Sequence, residues 1–169
     1  MNGKTKTLVS AAMLASLTCV ATMIIKIPSP VKGYLNLGDC VVLLAGWMLP
    51  PGYAFLAAGL GSALADLFSG YAAYVPATFV IKGTMAVIAI FAYRRLEERL
   101  GVRPARILSG ILAETEMVLG YFLFESILYG AAPSAVNIPA NAVQGAAGLI
   151  LGIALLKTFE KTDIIKTIR

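Results

Sequence analysis

The chain has 169 residues, of which 59% are hydrophobic and 14% charged, with a mean hydropathy of +0.82. A water-soluble domain needs more polar surface than this to cover its core, so a soluble fold is excluded and a membrane-embedded one expected. The net charge of +5 does not point to nucleic acid, because the basic residues gather beside apolar stretches with no aromatics interleaved for stacking on bases.

A spanning helix takes about 20 residues plus a turn, so about six fit in one domain of this length. The expected fold is an all-α bundle of six short transmembrane helices. The first spans residues 8–27, follows Lys4 and Lys6, and breaks at Pro28 and Pro30. Its basic start and small residues resemble a cleaved leader, but the apolar run is long and the later segments alternate with it, so a retained helix is expected. Residues 29–38 are too polar to cross and form an amphipathic loop. The second span, 39–49, stops at the Pro50-Pro51-Gly52 turn and is short enough to be tilted or only partly through the bilayer. The third, 53–68, is rich in glycine, alanine and serine, which let helix backbones approach closely in lipid. Its GLGS piece lies within an apolar helix and no Walker lysine follows, so it is not a nucleotide loop.

Tyr71 and Tyr74 lie in the next loop as an interfacial aromatic pair. The fourth span is 77–93, and an arginine-rich link through Arg94, Arg95, Arg99 and Arg103 leads to Arg106. The fifth is 107–129 and the sixth 137–156, followed by Lys157, Lys161, Lys166 and Arg169. With the amino terminus inside, 11 of the 14 lysines and arginines fall on the inner side, while Lys26 and Lys32 lie outside and Lys82 within a span. The positive-inside rule then places both termini in the cytoplasm.

Ionisable residues inside a span cost a few kcal/mol on insertion scales and read first as functional. There are five: Asp66, Lys82, Glu114, Glu116 and Glu125. Helical spacing puts Tyr74, Thr78 and Lys82 on one stripe, Glu114, Tyr121 and Glu125 on a second, and Asn137, Asn141 and Gln144 on a third. These stripes on the last three helices converge toward the outer leaflet. They would line a small polar pocket, with Tyr121 and Tyr129 to stack on a planar ring. The plainer alternative is that Lys82 pairs with Glu125 or Asp66 and the amides tie helices together; a second plain reading of Asp66 is a cap on an outer helix end. Glu114 and Glu116 lie deeper, in structural positions or facing the inner surface. On the first span Ala11 and Ala15, with Ala12 and Ser16 beside them, form a small-residue stripe fit to dock on another membrane helix or to pack within the chain. Cys19 and Cys40 are the only cysteines and histidine is absent, so no metal centre of the usual kind, no disulfide and no cofactor are expected.

Three features together carry a family resemblance: six short spans, the Ala11/Ala15 pair, and the loop YLNLGD at 34–39. The most specific piece is LGSALADLFSGYAAYVPATFVIKG at 60–83. On these the chain resembles the substrate-binding S components of energy-coupling factor (ECF) transporters, the vitamin-uptake class of ABC importers. It is most similar to their branch for pyridoxine-like or hydroxymethylpyrimidine-like substrates. The resemblance implies a multi-pass protein of the prokaryotic plasma membrane that captures a vitamin near the outer surface. Its partners would be a membrane coupling subunit (the T component) and two ATPases, since this sequence has no P-loop. It further implies that Ala11 and Ala15 form the coupling surface and that Tyr34, Asn36 and Asp39 belong to a lid.

The side chains expected to hold the substrate are Asn36, Asp39, Thr78, Lys82, Tyr121, Glu125, Asn141 and Gln144. They supply an aromatic face, amides for hydroxyl groups, and a carboxylate and an ammonium for a ring nitrogen or phenolate. The same inventory suits thiamine or riboflavin. One alternative is a self-sufficient carrier driven by an ion gradient, with Lys82, Glu114 and Glu125 as a proton relay, although the two halves show no internal repeat. An enzyme is not expected, because no nucleophile stands beside a base in a recognisable spacing.

Overall fold

The computed structural model describes residues 2–30 and 33–161; Lys32, Lys166 and Arg169 lie outside them. Proline and chain polarity set the element boundaries. Helix α1 (Gly3–Ile24) gives way to extended backbone ahead of Pro28, because the residue before a proline is pushed out of the helical region. A two-residue strand β1 (Ile27–Pro28) pairs antiparallel with β2 (Tyr34–Leu35), Ile27 opposite Leu35 and Pro28 opposite Tyr34. This hairpin is the one departure from an all-helical chain among the described residues. It closes through Gly33, whose φ of +95° is a backbone state that side-chain-bearing residues rarely adopt.

Helix α2 (Gly38–Met48) ends at Leu49, and Pro51 opens α3 (Pro51–Phe68) from the first-turn position where its missing N–H is harmless. Helices α4 (Val75–Leu100) and α5 (Val102–Tyr129) meet at Gly101, so the arginine-rich link is helical for most of its length. The short α6 (Ala131–Ala135) leads into α7 (Ile138–Lys161).

Four stretches are long and apolar enough to cross a membrane: α1, α4, α5 and the run through α6 and α7. The expected bundle of six helices is seen in α1, α2, α3, α4, α5 and α7, with the short α6 added before the last. Helix α2 has 11 residues, about 16 Å at 1.5 Å per residue, roughly half the hydrocarbon core. Every one of its residues is buried. It is apolar on all sides, and such a helix belongs in the interior. Helices α1, α3, α4, α5 and α7 follow one another around it, and α2 touches α1, α3, α4 and α7. Helix α3 has 18 residues, and its Gly59, Gly61, Ser62 and Asp66 are buried in the bundle. The outward surface is nonetheless aliphatic, with Met13, Ile24 and Ile127 all exposed, as a lipid-facing surface requires.

The small residues of α1 and α3 are used within the chain. Ala11 is buried and Ala15 lies with its carbonyl against Gly61 of α3. Ala11 is thus buried and Ala15 half-buried on the stripe expected to dock on another helix, while Ala12 and Ser16 beside them face outward. A Cβ at Gly61 would stand 2.8 Å from the Thr18 Cβ and closer still to the Ala15 carbonyl, so the two backbones touch because no side chain intervenes. Gly61→Leu is expected to lower stability by about 1–3 kcal/mol through overpacking, measured by thermal unfolding in detergent.

Candidate functional site

Polar side chains gather beneath the hairpin, at the end of the bundle opposite Arg94, Arg99 and Arg106. The deepest layer is a buried ion pair. Asp39, in the first turn of α2, pairs through Oδ1 with Lys82 Nζ of α4, and the two side chains are 0% and 2% exposed. The Asp39 Oδ2 accepts a hydrogen bond from Gln144 Nε2 of α7 at 2.6 Å. Asp39 is thus held by a cation, an amide and the positive end of its own helix. This corrects the assignment of Asp39 to a lid: it is anchored in the interior. It also settles the partner of Lys82, which is neither Glu125 nor Asp66.

The middle layer is aromatic. The Lys82 Nζ lies 5.4 Å from the centroid of Tyr121 on α5, and the Tyr121 hydroxyl meets Thr78 Oγ1 at 3.0 Å. Tyr74 donates to Glu125 Oε1 at 3.3 Å, and Asn137 Nδ2 donates to Glu125 Oε2 at 2.9 Å.

The hairpin closes over these groups and is fastened at its carboxy-terminal side. Tyr34 donates to Asp66 Oδ1 at 2.7 Å, and its ring packs against Tyr71 with centroids 4.9 Å apart. Burial, followed by the Asp66 carboxylate beside it, raises the Tyr34 phenol above its ordinary value, so it remains a neutral donor. The Asn36 N–H donates to Gln144 Oε1 at 2.9 Å, and the Asn36 side chain accepts from the Gly38 N–H at 2.8 Å, holding the first turn of α2. Gln144 therefore joins the hairpin to the buried ion pair through its two amide atoms.

Between hairpin and helices lies a cavity of about 40 Å³. Its lining includes Tyr34, Asn36, Asp66, Tyr121, Glu125, Asn141 and Gln144. Of the residues expected at the site, Asn36, Tyr121, Glu125, Asn141 and Gln144 reach the cavity, while Asp39, Thr78 and Lys82 support it from beneath. Beyond the stripes of the last three helices, the first loop contributes Tyr34 and Asn36 to the lining, and α3 adds Asp66. Tyr74, placed by helical spacing on the stripe with Thr78 and Lys82, lines it, and so does Tyr71, taken above only as an interfacial residue. Glu114 lies elsewhere, buried against Gly145 and Gly148, and neither carboxylate oxygen has a hydrogen-bond partner among the described residues.

An aliphatic-walled helical bundle with a polar chamber at one end defines a membrane protein, and comparison with known proteins gives its kind. A family model described as "ECF-type riboflavin transporter, S component" matches residues 2–161, and the chain belongs to this S-component family, a transporter family rather than an enzyme class. An uncharacterised protein of Pyrococcus woesei is 36% identical over 134 residues, covering 79% of this chain and 87% of that one. The thiamine precursor transporter HmpT of Lactococcus lactis subsp. cremoris is 25% identical over 170 residues, covering 99% and 96%. A solved structure described as the S component of a bacterial ECF transporter superposes with a TM-score of 0.72 at 21% identity, covering 94% of this chain and 98% of that one. That likeness confirms the fold.

Proposed function

We propose that the chain captures a small planar vitamin or precursor, of the vitamin B6 or hydroxymethylpyrimidine type, at the outer face of a prokaryotic cell membrane. It then delivers the ligand inward together with a membrane coupling subunit and two ATPases. The observation that carries this reading is the convergence of polar side chains from the hairpin, α3, α5 and α7 on one cavity inside an otherwise apolar bundle. Tyr121 offers a ring, Asn141 and Gln144 offer amides, and Glu125 offers a carboxylate. Arg94, Arg95, Arg99, Arg103 and Arg106 around the α4–α5 junction favour an inner location for that end and an outer one for the hairpin.

Ligand pockets run to a few hundred Å³, so a cavity of about 40 Å³ admits a vitamin only when Tyr34 and Asn36 move. Their fastenings are few, the bonds to Asp66 and Gln144, which suits a closure that opens and reseals. The thiamine-precursor relative, aligned over 99% of this chain, supports the pyrimidine half of this reading. The wording of the family description makes riboflavin the second reading.

Titration calorimetry of the purified chain with pyridoxine, pyridoxal, hydroxymethylpyrimidine, thiamine and riboflavin, without ATP, tests this directly. One of the first three is expected to bind tightest. Asn141→Ala is expected to weaken binding about tenfold, the loss of roughly one hydrogen bond, with unfolding unchanged. Failure of all five to bind would remove the reading.

A further inference from the structure

We infer that the ligand held beneath the hairpin is a flat, unphosphorylated base that carries a positive charge when bound. This rests on the reading of the hairpin end as the ligand site and adds the charge of what enters it. The cavity is lined by two carboxylates, Asp66 and Glu125, and by no lysine or arginine among the described residues.

The donors that the two carboxylates receive are neutral: the Tyr34 hydroxyl on Asp66, and the Tyr74 hydroxyl and Asn137 amide on Glu125. Neither has a cationic side chain within ion-pair distance among the described residues, where the pairs are Lys82 with Asp39 and Arg106 with Glu160. Lys82 is the one buried lysine or arginine among the described residues, and its charge is already matched by Asp39. Lys26 stands at the lip, bonded to Ser69 at 3.1 Å and 5.9 Å from the Tyr34 centroid, and it does not line the cavity.

A carboxylate withdrawn from water without a counter-cation is destabilised by several kcal/mol, and a ligand that brings the missing charge relieves this. The walls add to the same preference. Tyr34, Tyr71 and Tyr74 form a chain of rings with successive centroids 4.9 and 6.2 Å apart, and ring faces attract cations. A phosphate ester would place one to two negative charges beside Asp66 and Glu125. Like charges confined at that range repel strongly, so the same walls that favour a cation reject the ester.

The test is calorimetry of the full-length protein in detergent with charge-matched probes: thiamine and pyridoxamine as cations, riboflavin as a neutral ring, and pyridoxal 5′-phosphate as an ester. At least one cation is expected to bind about tenfold or more tighter than the neutral ring and the ester. Asp66→Asn and Glu125→Gln keep the shape of each side chain and remove its charge. Each is expected to weaken the cation about tenfold while changing any residual riboflavin binding less than about threefold. Either variant suffices if the other does not fold. Equal or tighter binding of riboflavin or the phosphate ester, or unchanged cation affinity in the folded variants, would overturn the charge assignment while leaving vitamin capture intact. Binding of none of the probes, with none of the vitamins above, would instead overturn the site itself.

Discussion

Lys82→Met is expected to lower the stability of this protein by about 3–5 kcal/mol, the usual result of removing one partner of a buried ion pair. Asp39 is wholly buried at the start of α2, and its Oδ1 has Lys82 as its cation. Methionine matches much of the lysine stem and would leave the carboxylate with the Gln144 amide as its remaining side-chain hydrogen bond. In a chain of this size a loss of that magnitude lowers the melting temperature by roughly 10 °C or more. Adding Asp39→Asn removes the stranded charge and keeps an acceptor for Gln144, so the double variant is expected to regain most of the loss. Differential scanning fluorimetry of the wild type, the two single variants and the double variant completes the cycle. A Lys82→Met protein within about 1 kcal/mol of wild type would show that the pair does not hold α2 to α4.

The pair illustrates what the sequence could and could not express. Helical stripes placed Tyr74, Thr78 and Lys82 together, and the structure keeps all three buried. Periodicity relates residues on one helix, however, and says nothing of which stripe on another helix they meet. Lys82 therefore had Glu125 and Asp66 as plausible partners, and the true one lies 43 positions away on a segment whose acidic residue read as part of a loop. The same gap applies to Ala15: small side chains announce a close helix contact, and only the packing shows that Gly61 of the same chain lies against its carbonyl.

Helix α2 was legible in part, since its shortness argued against a full crossing. Its complete burial follows from an apolar character on every side. The hairpin left no usable signal. Two residue pairs are too few to show the alternation of a strand, and the Tyr34–Asp66 bond that brings α3 into the site joins residues 32 positions apart.

Gln144→Leu is expected to have the second-largest effect, because Gln144 faces two ways. Its Nε2 donates to Asp39 and its Oε1 accepts the Asn36 N–H, so leucine strands a buried carboxylate oxygen and a backbone donor together. Each unsatisfied group costs about 1–3 kcal/mol, more when charged, giving a loss of roughly 2–5 kcal/mol. The loss should be unevenly distributed. Asn36 is only half-buried and can find water once the hairpin loosens, whereas Asp39 cannot. Residues 33–38 are then expected to exchange amide hydrogens faster and to become sensitive to protease, while the helices stay protected. A bound ligand should also leave faster, since this bond is one of the two that close the cavity toward the loop. Hydrogen exchange with mass spectrometry reads the first effect and ligand dissociation the second. Protection of residues 33–38 equal to wild type would show that Tyr34 and Asp66 alone hold the hairpin down.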